Sequence, residues 1–235
     1  MPARNGGPQN GTTRPRRGRP RAGDSAESRV PLDGRRPRDR EVLETAIRLF
    51  YEKGYAATSI QDVANELGIL KGSLYYYIDT KETLLRKIFE DSHEEVREIA
   101  ERHRHGDEPA IDRIAAFLRD NAMWYLTNQQ RASLFAREWR HATGELREVM
   151  AKQRKYYDQV LRELIQAAVE EGSARADIDV RLATYFVMSA VSSLPDWFNP
   201  RGRDKAETVA SSYADMALQM IASKETRDSR ENDGG

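Results

Sequence analysis

An all-α fold is predicted, on three observations. Prolines are few between residues 38 and 223, and they fall near apparent breaks, at Pro109, Pro195 and Pro200. Gly54, Gly68, Gly106, Gly144 and Gly172 stand at apparent helix ends. Apolar residues recur at helical spacing, with no sustained period-two alternation to mark a strand. No tandem repeat with a period of 20–50 residues is present.

The first helix is predicted over about residues 39–53. Leu43, Ala46, Ile47 and Phe50 fall at i, i+3, i+4 and i+7, which is one buried stripe, and Gly54 supplies the left-handed stop. A short second helix starts at Thr58 or Ser59, either of which is a good N-cap. It carries Ile60, Val63, Ala64 and Leu67 inward and ends at Gly68. A third helix is expected from near Leu70 to about Tyr77. Asp79 and Thr80 then cap a long fourth helix running from Lys81 to about His105, a connector. Small Ala64 suits a close crossing of two helices and Gly68 suits a tight turn, so Ser59–Tyr77 reads as a helix-turn-helix. The second helix of such a unit lies in the major groove of DNA. Further helices are expected over about 110–127, 130–141, 145–171, 179–194 and 205–222.

Charge points the same way. The 38 basic and 38 acidic residues cancel, but residues 1–40 hold eleven Arg against four acids, a local excess of +7 over a body at −7. A basic arm on an acidic body suggests contact with a polyanion. Rich in Pro, Gly and Arg, the arm buries too little apolar surface to offset the entropy of ordering, so residues 1–37 are expected to be disordered when free. Arg17, Gly18, Arg19 and Pro20 resemble an AT-hook core, an extended strip thin enough for a narrow minor groove. The alternative is a solvated basic tail with only phosphate attraction. Residues 224–235 are similarly polar and are expected to fray. The expected boundaries are therefore an arm at 1–37, a DNA-binding head at 38–84, a body at 85–223 and a tail at 224–235.

The stretch from Gly54 to Leu85 resembles the DNA-binding signature of the tetracycline-repressor (TetR) family. The matching landmarks are Gly54, Thr58, Ala64, Gly68, Gly72, Ser73, Leu74, Tyr75, Tyr77 and Lys81. Leu70 sits where the family often has a Ser or Thr cap, and Ile78 where it often has Phe. The resemblance implies a three-helix DNA head followed by a helical ligand-binding and dimerisation body, over about residues 38–222.

Residue chemistry supports DNA contact independently. Thr58 and Ser59 bring hydroxyls and backbone N–H groups to a helix N-terminus, a seat for phosphate. Lys71 opens the recognition helix within reach of a guanine edge or a phosphate, and Gly72 permits close backbone approach. Ser73, Tyr75, Tyr76 and Tyr77 offer hydroxyls to phosphates and rings to thymine methyls. Lys81 opposes the dipole at its helix N-terminus, which suggests a functional reason such as gripping a flanking phosphate. Tyr75 and Tyr77 also read as partial core.

In the body, the expected dimer seam comprises Leu182, Phe186 and Ala190 of the penultimate helix, and Val209, Tyr213, Met216, Ala217 and Met220 of the last. Each set follows helical spacing with small residues that permit close packing across a two-fold axis; an intramolecular core is the plain alternative. A homodimer suits a palindromic operator with half-sites about 34 Å apart or a multiple of that. Candidate effector-binding residues are Met123, Trp124, Phe135, Trp139, Tyr156, Tyr157, Tyr185 and Met188, large side chains of the sort that line apolar small-molecule sites. Arg137, Arg140, Arg154 and Lys155 lie near them in sequence. Glu170, Glu171 and Gly172, then Asp177–Asp179, Trp197–Pro200 and Tyr213, resemble a family branch of repressors of sterol and fatty-acid catabolism that respond to acyl-coenzyme A thioesters.

Other classes fit poorly. There is no cysteine, hence no disulfide or thiolate chemistry. No Gly-x-Ser-x-Gly elbow or phosphate-binding Gly loop occurs, so neither an enzyme nor a cofactor is expected. His103 and His105 do not share a helix face, and no metal site is expected. No apolar run approaches the ~20 residues that span a bilayer, and no secretory h-region precedes the body, so a cytoplasmic protein is expected. The expected function is a ligand-responsive regulator, most simply a repressor. The alternatives are the same regulator sensing a drug or signalling molecule, and an architectural DNA binder using its Arg-rich arm.

Overall fold

The computed structural model describes residues 37–233, and among these the fold is all-helical. The Arg-rich arm, with Arg17, Gly18, Arg19 and Pro20, lies outside the described residues. The helices are α1 (Pro37–Lys53), α2 (Ile60–Glu66), α3 (Lys71–Leu74), α4 (Lys81–Arg104), α5 (Ala110–Thr127), α6 (Gln129–Trp139), α7 (Gly144–Glu170), α8 (Val180–Ser192), α9 (Leu194–Trp197), α10 (Ala206–Ile221) and α11 (Lys224–Asp233). An isolated antiparallel bridge ties Ala174 to Ala222.

Local chemistry sets the ends. Gly54 and Gly68 have φ of +89° and +65°, a region that side chains with a Cβ rarely enter, so each stops its helix without strain. Ser59 and Asp62 form a reciprocal capping box at α2. Thr80 accepts from the Thr83 amide at 3.0 Å and caps α4. The recognition helix α3 spans four residues, shorter than the expected stretch to Tyr77, because Tyr75–Tyr77 continue as a turn. The region after Ser193 differs from expectation too. Pro195 sits in the first turn of α9, where its missing N–H costs nothing.

Three apolar clusters hold the chain together. The first is the head core, where Phe50, Leu49 and Ala46 of α1 meet Val63 and Ala64 of α2, Leu74 of α3 and Leu84, Leu85, Ile88 and Phe89 of α4. Leu134 of α6 and Leu146 and Met150 of α7 enter this same cluster, so head and body share one packed core. The second is built around Phe117 and Leu118 of α5 and Leu161, Leu164 and Ile165 of α7. The third gathers Ala122, Leu126, Val191, Leu194, Phe198, Val209 and Ala210. Burying each large side chain stabilises the fold by roughly 1.5–3 kcal/mol.

The expected frayed tail is instead helical from Lys224 to Asp233. Its sequence is very polar, and local bonds explain the helix. The Ser223 hydroxyl sits at its N-terminus beside Thr226, Arg227 donates to the Gln219 carbonyl at 2.9 Å, and Arg230 pairs with Asp112.

Candidate DNA-binding head and effector cavity

The helix-turn-helix presents one polar, aromatic surface. Lys71, Gly72, Ser73, Tyr75 and Tyr76 are exposed on or next to α3, with Tyr76 at 75%. Leu74 is fully buried and anchors the helix. Tyr77 is half-buried, its ring edge-on to Tyr76 at 5.3 Å. The Lys71 ammonium lies 5.8 Å from the Tyr75 ring centre. Together these provide a cation and a hydroxyl at the N-terminal end of the second helix, where base edges are met, and further hydroxyls and flat apolar faces in the turn that follows it.

Two residues expected at this surface have internal roles. Thr58 is buried, and its hydroxyl donates to the carbonyls of Gly54 at 2.8 Å and Leu49 at 3.3 Å, locking the α1–α2 turn. Only Ser59 of that hydroxyl pair is exposed, and it is engaged with Asp62. Lys81 donates to the carbonyls of Tyr55 at 2.9 Å, Ala56 at 3.4 Å and Thr58 at 3.0 Å, and lies 4.4 Å from the Tyr55 ring centre. Three carbonyl dipoles and a ring face therefore offset its position at a helix N-terminus, and they occupy the ammonium that was expected to reach a phosphate.

A cavity of about 300 Å³ lies among α4, α5, α6, α7 and α8. Six expected residues line it: Trp124, Phe135, Trp139, Tyr157, Tyr185 and Met188. Met123 and Tyr156 do not. Met123 packs on the third core cluster, and the Tyr156 hydroxyl bonds Glu101. Sequence reading missed the α4 wall, formed by Phe89, Ser92, His93 and Val96. Its signal was available, because these four fall at i, i+3, i+4 and i+7.

The cavity mixes apolar and ionisable groups. His93 and Tyr157 pair through Nδ1 and the hydroxyl. Burial pushes the His93 imidazole below its usual range and the Tyr157 phenol well above its own. Burial also raises the Asp158 carboxyl, against the opposing pull of Arg154 and Arg162. Arg131 is neutralised by Glu95 at 2.7 Å, and the same carboxylate accepts from the Trp124 indole at 2.8 Å. Asn121, fully buried one turn before Trp124 and Tyr125, has no partner for either amide atom among the described residues.

A second depression, of about 380 Å³, is lined by Trp139, Ala151, Arg154, Lys155, Asp158, Gln159, Arg162 and Tyr185. Trp139, Arg154, Asp158 and Tyr185 line both spaces, so the apolar cavity adjoins a basic, aromatic-edged groove. The Arg154 guanidinium lies 5.4 Å from the Trp139 ring centre, and Arg162 lies 5.9 Å from that of Tyr185. Arg137 points elsewhere, donating to the Tyr51 carbonyl at 3.2 Å. A wider groove of about 670 Å³ between α1, the α5–α6 junction and the α9–α10 connection is edged by Glu44, Gln129, Gln130, Arg131, Asp204 and Lys205. Ile47, Leu126, Phe198, Pro200 and Ala206 also line it.

The expected dimer seam divides into two sets. Leu182, Phe186 and Met216 are exposed, Phe186 at 66%. Val209 and Ala217 are buried within the chain's own core. Ala190, Tyr213 and Met220 are half-buried, with Tyr213 stacked on the exposed Trp197 at 6.1 Å.

A helix-turn-helix head with an exposed polar recognition surface, joined through a shared core to a helical body with an internal cavity, defines a DNA-binding regulator. Comparison with known families gives the same class. Residues 42–88 match the model for bacterial regulatory proteins of the tetR family, and residues 107–221 match the tetracyclin repressor-like C-terminal domain. The chain belongs to the TetR family of transcriptional regulators. It is 29% identical over 198 residues to the HTH-type transcriptional repressor KstR2 of Rhodococcus jostii, an alignment covering 81% of this chain and 94% of that one. In fold it is similar to the ketosteroid transcriptional regulator KstR2 of Mycobacterium tuberculosis, with a TM-score of 0.74 at 23% identity over 80% of this chain and 96% of that one. It is also similar to AibR, solved in complex with isovaleryl coenzyme A and operator DNA, with a TM-score of 0.68 at 28% identity over 76% and 97% of the two chains. These relatives are regulators, not enzymes. Among the described residues no helix is long and apolar enough to cross a membrane.

Proposed function

We propose that this chain is a cytoplasmic, homodimeric transcriptional repressor, released from a palindromic operator when a fatty or sterol acyl-CoA thioester occupies the body. The observation that carries the reading is the aromatic-lined cavity that shares Trp139, Arg154, Asp158 and Tyr185 with a basic groove. An acyl chain suits the first space and a phosphate-bearing nucleotide the second, where Arg154, Lys155 and Arg162 supply positive charge. Similarity to the repressor KstR2 supports the repressor role, and similarity to AibR, solved with isovaleryl coenzyme A and operator DNA, supports the class of ligand. The dimer would form on the exposed Leu182, Phe186 and Met216 surface, and Lys71, Gly72, Ser73, Tyr75 and Tyr76 would meet the operator, with Ser59 at its edge.

Coupling follows from shared walls. Phe89 of α4 belongs to both the head core and the cavity lining. On α6, Leu134 packs in the head core while the next residue, Phe135, lines the cavity. A ligand that spreads this wall moves groups on which the head rests. Release requires the ligand to prefer the DNA-incompetent arrangement; equal affinity for both states would shift nothing.

Trp124 and Trp139 make the test direct. Tryptophan fluorescence is followed while the protein is titrated with acyl-CoAs of increasing chain length, free CoA, free fatty acids and lipophilic cations. Acyl-CoAs are expected to bind tightest, and Arg154→Ala is expected to erase their advantage over the free acid. Preference for a cation would instead favour the second reading, a drug or signalling molecule held by Asp158 and Asp196 on the cavity wall.

A further inference from the structure

Leu70 occupies an unusual position for a large apolar residue. It stands in the turn before α3 with 80% of its surface exposed, more than any other large apolar side chain described. It is also the N-cap of α3 and makes no side-chain cap bond. The flanking helices α2 and α4 are capped by Ser59 and Thr80. Leucine thus forgoes a cap where a hydroxyl residue could provide one, and it leaves apolar surface in water.

The backbone holds this side chain in a fixed place. The Leu70 carbonyl accepts from the amides of Ser73 at 2.9 Å and Leu74 at 3.3 Å, and the fully buried Leu74 fastens that turn to the head core. Leu70 therefore projects from the tip of the recognition helix, beside exposed Lys71 and one turn from exposed Ser73. In a helix-turn-helix the N-terminal end of the second helix faces base edges in the major groove. A branched hydrocarbon offers no donor or acceptor there, and the complementary group on that surface is the thymine C5 methyl.

We propose that Leu70 reads a thymine methyl in each operator half-site, and so sets an A·T pair in the recognition sequence. The proposal rests on the DNA-binding role of the family and is independent of the effector.

The test uses an operator selected from random duplexes by the full-length protein. Each thymine of a half-site is replaced in turn by deoxyuridine, which removes only the methyl, and affinity is measured at fixed salt without effector. For the wild type, one replacement is expected to weaken binding about fourfold, the value of one buried methyl-sized group. Leu70→Ala and Leu70→Ser are expected to lose discrimination at that position while keeping the wild-type profile at every other thymine. Each ratio compares two duplexes on one protein preparation, so partial unfolding of a variant cancels. Leu70→Ser also supplies the missing cap and is expected to melt no lower than the wild type. The same deoxyuridine profile in the wild type and both variants would overturn the proposal. So would a selected operator with no thymine in its half-sites.

Discussion

The DNA head and the effector body solve different problems with the same helical material. The head is small, so nearly every side chain either fills its core or faces outward. Leu74 is fully buried while Ser73 and Tyr75, its neighbours in the chain, are exposed. In the body, longer helices pack around α5, and one helix serves several surfaces. On α10, Val209 and Ala217 fill the core while Met216 faces out. On α8, Val187 is core, Met188 lines the cavity and Phe186 is exposed. The candidate site residues are therefore concentrated in a short segment of the head, and in the body they are dispersed over five helices that meet only in three dimensions.

The largest expected effect separates the two regions. Lys71→Ala or Tyr76→Ala should lower operator affinity about 5- to 150-fold, the range for one lost base contact, and leave acyl-CoA affinity unchanged. Anisotropy of labelled operator and tryptophan titration give the two readouts. A matching loss of effector affinity would show that the regions are not separable.

A smaller effect sharpens the roles within the head. Lys81→Met strips three turn carbonyls of their charged donor and should cost about 1–3 kcal/mol of stability, read as a lower melting temperature. Its salt dependence of operator binding should keep the wild-type slope. A slope reduced by about 0.9 would mean that Lys81 neutralises a phosphate after all.

The smallest effect concerns the cavity. Burial holds His93 below its ordinary value of about 6.5, so the unfolded chain binds this proton more readily. Its contribution to stability is thus present above pH 6.5 and declines as the pH falls toward the folded value. His93→Gln should flatten the drop in melting temperature between pH 7 and 5.5. An unchanged slope would remove His93 as a source of that drop.

What could be read from the sequence follows the same division. In the head, fixed glycine stops and apolar residues at helical spacing located the helix-turn-helix. Thr58 and Ser59 were indistinguishable there, because two adjacent hydroxyls offer the same chemistry until the turn buries one. The partners of Lys81 were hidden for a physical reason. A cation at a helix N-terminus suggests an external anion, and the compensating carbonyls lie more than twenty residues earlier in the chain. In the body, the stripe holding Val209 and Ala217 gave spacing but not partner, since a periodic apolar face is identical whether it packs within a chain or between chains. His93 and its stripe on α4 were passed over because that helix reads as a connector, and Asp158 because a carboxylate on α7 resembles a solvated face.

Operator release tests the central claim most directly. The protein is bound to its selected operator, and anisotropy is followed as acyl-CoA, free CoA or free fatty acid is added. Acyl-CoA is expected to dissociate the complex at concentrations where the two fragments do not, and Arg154→Ala is expected to remain bound. Release by the fatty acid alone, or persistence of the complex with acyl-CoA bound in the body, would contradict the proposed effector and its coupling to the head.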